Sequence, residues 1–119
     1  MDPSDHLPLS PRDFLILLAL AEGPLHGYGI LAAVERRGGD EVRLDPANLY
    51  RSLKRLRRDG QVEEADPPSR TPAPPEQRRY FRLTEHGRQV AAAEAERLAW
   101  LARVAREVRL IGEEEAAAG

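Results

Sequence analysis

The chain has 119 residues, of which 41% are apolar and 32% charged, a composition that fits one small globular domain with at most a helical extension. It contains no cysteine and three histidines, which excludes a disulfide scaffold, a thiolate metal site and a cysteine nucleophile. The formal net charge is −2, which would argue against nucleic-acid binding if the charges were evenly spread.

The first residues of the chain do not have the pattern of a secretory signal. Residues 1–5 are acidic where a secretory signal would be basic. The longest apolar run, residues 14–21, is far shorter than the roughly 20 residues that a bilayer requires. We therefore expect a cytoplasmic protein that does not enter a membrane.

Two helices are predicted before residue 40. The Ser-Pro pair at 10–11 supplies a capping hydroxyl and a proline at the first helical position. Leucine-rich sequence follows up to Gly23, which predicts a central core helix. The second helix is short and carries Ile30 and Val34 at helical spacing before the glycine pair 38–39.

A third helix follows a short predicted strand. Val42 and Leu44 alternate with charged residues and predict that strand. Asp45 then precedes a proline, which repeats the helix-start signal, and Gly60 marks the end of the helix. Its apolar stripe consists of Leu49, Leu53 and Leu56.

The pattern then changes to strands. Residues 61–65 and 78–83 predict a hairpin, whose tip at 66–77 holds five of the ten prolines. Thr84 is a capping residue for a last helix over residues 85–115.

This order of elements predicts an α+β, mostly helical fold: a winged helix-turn-helix with a long C-terminal dimerisation helix. Other small α+β folds share the order. We expect an N-terminal tail at 1–9, a winged helix-turn-helix DNA-binding domain at 10–84 with its wing tip at 66–77, and the dimerisation helix at 85–115.

The charges are segregated along the chain. Residues 47–60 hold five positive side chains and one negative, and residues 76–88 hold four arginines and two glutamates. The N-terminus and the last predicted helix are acidic. Two basic segments on an acidic protein indicate one side that faces a polyanion, either DNA or an acidic protein partner.

Three segments of the chain, in this order, together match the sequence pattern of a known protein family. They are Leu-His-Gly-Tyr at 25–28, Asn-Leu-Tyr-Arg-Ser-Leu-Lys-Arg-Leu at 48–56 and Arg-Arg-Tyr-Phe-Arg-Leu-Thr-Glu-His-Gly at 78–87. Together they resemble the PadR family of transcriptional regulators, over roughly residues 14–88. The resemblance implies a winged-helix DNA-binding domain, a homodimer formed through the C-terminal helix, and repression relieved by a small molecule. The tail resembles the smaller subfamily that has a single C-terminal helix.

Two positions depart from the family pattern. Asn48 stands where relatives usually have Ser or Thr before Leu-Tyr. This difference affects which DNA bases the third helix would prefer. The wing tip at 66–77 is rich in proline where many relatives have glycine, which bears on the reach of the wing into the minor groove.

The polar face of the third helix is the predicted DNA reader. At about 100° per residue this face lies opposite the leucine stripe. Since recognition helices present their N-terminal part to base edges, we assign base readout to Asn48 and Arg51. Lys54, Arg55 and Arg58 are assigned to phosphates or flanking contacts, and a merely solvated basic face is the alternative.

Five further side chains complete the predicted DNA surface. The ring of Tyr50 is expected to pack in the core with its hydroxyl near a phosphate, and Tyr28 is expected beside the start of the second helix. His26 is either a hydrogen-bonded structural residue or a phosphate donor there. Arg78 and Arg79 adjoin the wing and are assigned to phosphate or minor-groove contacts, with a solvated strand edge as the alternative.

The last helix carries an apolar stripe that one small domain cannot cover. We therefore predict that it packs on a second copy of the chain. The predicted dimer residues are Leu98, Leu101, Val104, Val108 and Ile111. Trp100 flanks the stripe, where it either packs structurally or lines a cavity between subunits that accepts a flat apolar ligand.

The sequence therefore predicts a sequence-specific DNA-binding regulator, a ligand-responsive repressor that binds a palindromic operator as a homodimer. The alternative is a winged-helix interaction module whose basic face binds an acidic protein. An enzyme is not expected, because there is no glycine-rich phosphate loop, no metal-ligand spacing and no nucleophile beside a base. No cofactor or metal is expected.

Overall fold

The structure is a computed structural model that describes residues 2–39, 41–67 and 79–112. In chain order its elements are a 3-10 turn (Pro3–His6), α1 (Pro11–Ala21), β1 (Leu25–His26), α2 (Gly27–Gly38), α3 (Pro46–Arg58), β2 (Val62–Ala65), β3 (Tyr80–Leu83) and α4 (Glu85–Glu107). The fold is mostly helical with a small antiparallel sheet, which confirms the predicted fold class.

Every α-helix begins at a capping side chain. Each cap accepts a hydrogen bond from the backbone N–H three residues later, at 2.8 to 3.1 Å. The predicted starts of α1, α3 and α4 are confirmed, whereas the histidine cap of α2 was not predicted. The four caps are Ser10, His26, Asp45 and Thr84.

The sheet has the strand order β1-β3-β2 and is antiparallel throughout. β2 and β3 form the predicted hairpin, which we call the wing, with Val62 opposite Leu83. β1 places Leu25 opposite Phe81 and adds a third strand that was not predicted. The predicted tip and Arg78 lie outside the described residues, apart from positions 66 and 67.

The prediction of a strand at Val42 and Leu44 is wrong. Both residues lie in the connection between α2 and α3, where their side chains pack against the core without a paired backbone. Their alternation with polar residues comes from burial of one side of a loop, which imitates the pattern of a strand.

The core lies between α1, α2, α3 and the inner face of the sheet. The predicted stripe of α3 is buried, which confirms the division of that helix into an apolar and a polar face. The fully buried apolar side chains include Ile16, Leu17, Leu20, Ile30, Val34, Leu49, Leu53, Leu56, Phe81 and Val90.

The close approach of α4 to the residue before β2 explains why the Thr-Glu-His-Gly segment ends in glycine. A Cβ at Gly87 would lie 2.0 Å from the carbonyl oxygen of Gln61, so only glycine lets α4 start this near to β2. Thr84 completes the junction, because its hydroxyl donates to the carbonyl of Gly60 at 2.6 Å and accepts from the Gly87 N–H at 2.9 Å.

The N-terminal segment differs from the expected tail. It contains a 3-10 turn and lies against α4, where the Leu9 N–H donates to Glu94 Oε2 at 2.7 Å. The Nε2 atoms of His6 and His86 are 3.0 Å apart. Glu94 is only 1% exposed and also accepts from Arg97 Nε at 2.5 Å.

α4 ends at Glu107, earlier than the predicted boundary near residue 115. Arg109 adopts a φ of 61°, and the Leu110 N–H donates to the carbonyl of Ala105 at 2.9 Å. This pattern is a Schellman motif, which ends the helix here although the sequence that follows is rich in helix-forming residues.

Candidate nucleic-acid interface

The exposed face of α3 begins with a chain of three hydrogen-bonded side chains. Asp45 Oδ1 accepts from the Asn48 N–H at 2.8 Å, and Asp45 Oδ2 accepts from Asn48 Nδ2 at 3.0 Å. Arg51 Nη2 donates to Asn48 Oδ1. The two predicted base readers are therefore linked by a side-chain hydrogen bond.

Arg55 forms an ion pair with a buried carboxylate, although its own side chain remains 43% exposed. Its Nη2 donates to Asp13 Oδ2 at 2.5 Å, and Asp13 is only 8% exposed. This ion pair connects α3 to α1. The structure thus shows a contact of Arg55 that helps position α3, which the sequence did not indicate; its predicted role in phosphate or flanking contacts stays a prediction.

Lys54 and Arg58 lie on the exposed side of α3 together with Arg51. The side chain of Arg58 is 72% exposed, and its Nε lies 3.3 Å from Asp59 Oδ1. Such an exposed pair between neighbouring residues holds the guanidinium weakly. Both cations are placed where a polyanion could reach them.

The starts of α2 and α3 meet at two exposed tyrosines. Tyr28 and Tyr50 are 52% and 40% exposed. A Cβ at Gly27 would lie 2.6 Å from the Tyr50 hydroxyl, so the glycine makes room for this ring. A small cavity of about 110 Å³ lies here, lined by Gly27, Tyr28, Leu31, Pro46 and Tyr50.

His26 is a hydrogen-bonded structural residue, which was one of the two roles considered for it from the sequence. Its Nδ1 accepts the Gly29 N–H at 3.0 Å as the cap of α2, and its ring packs edge-on against Tyr80 at 5.3 Å. The ring of Tyr50 packs edge-on against the buried Phe81 at 6.5 Å, but Tyr50 is 40% exposed, so it lies at the edge of the core rather than inside it as expected.

The wing meets α3 at Arg79. Glu64 Oε1 accepts from Arg79 Nε at 2.9 Å and from Arg79 Nη2 at 2.5 Å, and it lies 3.7 Å from Arg57 Nη1. The Arg79 guanidinium also lies 5.3 Å from the centre of the Phe81 ring and 6.0 Å from that of Tyr50. The hydrogen bonds from Arg79 lower the pKa of the Glu64 carboxyl, so this group is charged at neutral pH.

The second half of α4 exposes the predicted dimer residues. Their exposed fractions range from 37% at Val104 to 61% at Val108, and Trp100 beside them is 53% exposed. Leu98 and Leu101 belong to the same stripe, while Val108 is the C-cap of the helix and Ile111 lies beyond its end.

Among residues 2–39, 41–67 and 79–112, no three His, Asp or Glu side chains gather as metal ligands would. Over the same ranges, no helix combines the length and the apolarity that crossing a bilayer demands.

Comparison with known families decides the identity of the fold. Residues 16–93 match the transcriptional regulator PadR-like family. The chain belongs to this family. PadR-like proteins are transcriptional regulators and not enzymes, in agreement with the expectation from the sequence.

Relatives of the PadR-like chain include a protein from a mobile element and several solved structures. An uncharacterized 37.1 kDa protein in transposon TN4556 of Streptomyces fradiae is 41% identical over 87 residues, which cover 73% of this chain and 23% of that protein. The chain thus spans about a quarter of the length of that relative.

The solved structures share the fold at low identity. A PadR family transcription regulator from Clostridium difficile is 22% identical, with a TM-score of 0.69 over 83% of this chain and 98% of its own. A PadR-like transcriptional regulator from Bacillus cereus is 18% identical, with a TM-score of 0.68 over 85% and 92%. Bordetella bronchiseptica BpsR, whose DNA binding is regulated by 6-hydroxynicotinic acid, is 16% identical, with a TM-score of 0.60 over 81% and 64%.

Sequence reasoning missed the partners of the basic side chains in this PadR-like chain. Neither Asp13 nor Glu64 was identified from the sequence as an ion-pair partner. Asp13 lies 42 residues from Arg55, and Glu64 lies 15 residues from Arg79. No local pattern in the sequence signals pairs at these separations.

Proposed function

We propose that the protein is a sequence-specific DNA-binding regulator of transcription, that it binds a palindromic operator as a homodimer, and that it acts as a repressor. The observation that carries the proposal is the exposed polar face of α3 in a PadR-like winged-helix fold. Asn48 and Arg51 lie at the N-terminal end of this face, and Lys54 and Arg58 continue it.

The chemistry of this face fits the major groove of DNA. An α-helix fits into that groove, where Arg can donate two hydrogen bonds to guanine and Asn can pair with adenine. Lysine and the remaining arginines neutralise phosphates, which supplies affinity without sequence preference. In this proposal Asn48 and Arg51 read bases, whereas Lys54, Arg58 and Arg79 hold the backbone.

The experiment first selects genomic fragments bound by the purified protein, which yields the operator and its half-site spacing. Asn48→Ala, Arg51→Ala and Arg79→Ala are then titrated on operator and scrambled duplexes at several salt concentrations. The first two variants should lose about 1 to 3 kcal/mol of discrimination per base contact. Arg79→Ala should weaken binding to every duplex and reduce the salt slope by about one.

The matched control is Arg103→Ala, which removes the same charge from an exposed position on α4. It should leave both affinity and discrimination unchanged. Equal losses on operator and scrambled DNA for all three interface variants would refute the assignment of α3 as the reader. If no fragment is enriched, sequence-specific DNA binding is refuted and the alternative, an acidic protein partner for the basic face, is tested next.

The homodimer is supported by the exposed apolar stripe of α4. This stripe continues the helix face that is buried in the first half of α4, where Val90 and Ala91 pack against the core. Val104→Glu should therefore yield a monomer by light scattering, because a charge cannot be buried unpaired in an apolar interface. Ala99 lies about 140° from Val104 around the helix, so Ala99→Glu should leave the dimer intact. Dissociation of both variants, or of neither, contradicts the proposed interface.

A planar apolar effector near Trp100 belongs to the same proposal. Trp100 lies one helical turn before Val104 and would border a dimer interface built on the stripe. The regulation of BpsR by 6-hydroxynicotinic acid is a case of a structurally similar protein that responds to an aromatic acid. Quenching of Trp100 fluorescence together with weaker DNA binding, in a panel of aromatic compounds, would support this effector; indifference of both to the panel would remove it.

A further inference from the structure

Glu64 occupies the junction between the wing and α3. Its Oε1 accepts two hydrogen bonds from Arg79 on the wing and lies 3.7 Å from Arg57 Nη1 on α3. A single carboxylate therefore engages cations from both elements that form the proposed DNA surface.

All three side chains of this cluster are accessible. The exposed side-chain fractions are 46% for Glu64, 53% for Arg79 and 41% for Arg57. Exposed ion pairs of this kind contribute little to folding, because water solvates both partners nearly as well. The Glu64 carboxylate is thus not required by the core, and an external anion could displace it.

We propose that Glu64 is an internal competitor for DNA phosphates: in the free protein it engages the guanidinium groups of Arg57 and Arg79 and thereby lowers the affinity for DNA of every sequence. This inference rests on the proposed function.

The competition follows from the chemistry of arginine. A guanidinium binds a carboxylate and a phosphate with the same fork of N–H donors, so both anions use the same donor atoms. When a phosphate approaches Arg79, either the hydrogen bonds to Glu64 break or two anions stand side by side. Because phosphates carry no sequence information, the resulting loss of affinity should be the same on all duplexes.

The neighbouring glutamate provides a matched control. Glu63 points to the opposite face of β2, where its Oε1 accepts from Arg82 Nε at 2.6 Å. It has a similar exposed side-chain fraction, 47% against 46%, but it is turned away from α3. Glu63→Gln and Glu64→Gln therefore remove equal charge from adjacent positions and differ in the arginine that is released.

The experiment measures fluorescence anisotropy of a labelled duplex of scrambled sequence at several salt concentrations. Glu64→Gln should lower Kd by about two- to fivefold, the range of one exposed ion pair. The salt slope should stay close to that of the wild type, because in both proteins the same arginines contact phosphates once DNA is bound. Glu63→Gln should leave both quantities unchanged.

A double-mutant cycle tests whether Glu64 acts through Arg79. In the Arg79→Gln background the gain from Glu64→Gln should shrink, because the main donor to the carboxylate is already absent. A gain of unchanged size in that background would overturn the proposal, and so would an equal gain from Glu63→Gln.

The outcomes separate this inference from the proposed function. Salt-dependent binding by the wild type with no change in Glu64→Gln would overturn the role of Glu64 alone. The absence of salt-dependent DNA binding by the wild type would overturn both.

Discussion

The ion pair between Asp13 and Arg55 should be asymmetric in its effect on stability. Asp13 is 8% exposed, and its Oδ1 has no hydrogen-bond partner among the described residues. The side chain of Arg55, in contrast, is 43% exposed. Removal of Arg55 strands a carboxylate inside the protein, whereas removal of Asp13 leaves a guanidinium that water can solvate.

The expected losses differ by more than a factor of two. Breaking a fully buried pair costs about 3 to 5 kcal/mol when one charge stays behind, and Asp13 retains a little access to water, so we expect about 2 to 4 kcal/mol for Arg55→Ala. Asp13→Ala should cost about 1 kcal/mol, close to the value of a partly exposed pair. The double variant should be more stable than Arg55→Ala alone, because no charge is then stranded.

The assay is urea unfolding followed by circular dichroism at one fixed protein concentration, since assembly would make stability depend on concentration. Arg58→Ala is the control, because its side chain is 72% exposed and its loss should change stability by at most about 0.5 kcal/mol. Equal losses for Asp13→Ala and Arg55→Ala would refute the reasoning. If Arg55→Ala keeps full stability but binds DNA more weakly, the main role of Arg55 is a phosphate contact rather than a structural ion pair.

Two further predictions concern α4. The hydrogen bond from Arg97 is the main cause that lowers the pKa of Glu94, so the stabilisation by the Glu94 carboxylate should be present above pH 4.5 and be lost as the pH falls through the lowered pKa. Urea midpoints measured down to pH 3 should show this loss of stability in the wild type but not in Glu94→Gln. Identical pH profiles of the two proteins would contradict this prediction. Gly87→Ala should lower the free energy of unfolding by roughly 2 to 3 kcal/mol or more in the same assay, because the added Cβ would lie 2.0 Å from the carbonyl oxygen of Gln61. Gly112→Ala is the control and should leave stability unchanged, because a Cβ there meets no atom within 4 Å. Equal effects of the two substitutions would exclude the steric cause.

The helices were predictable because their start signals act locally. Ser10, Asp45 and Thr84 each bond to an amide three residues away, so the sequence window that specifies the cap is short. The stripe of α3 follows in the same way from helical periodicity. The family segments singled out the winged helix-turn-helix among the small α+β folds that share this order of elements.

The strand errors have the opposite cause. β1 has two residues, and its identity as a strand depends on pairing with Phe81 and Tyr80, more than fifty positions later in the chain. Val42 carries the expected alternation but has no strand beside it. Strands depend on partners that are distant in sequence, so short segments with the right pattern are ambiguous.

The same argument applies to the charges of the proposed DNA surface. The sequence counts five cations between residues 47 and 60, but the fold places a carboxylate against three of them: Asp13 on Arg55, Glu64 on Arg57 and Asp59 on Arg58. These pairs are not equivalent, because only Asp13 is buried. A phosphate can displace the exposed carboxylates, whereas displacing Asp13 would strand its charge inside the protein. The salt slope of DNA binding should therefore reflect the cations whose carboxylate partners are exposed and exclude Arg55, so it should fall short of the number of positive residues in the sequence.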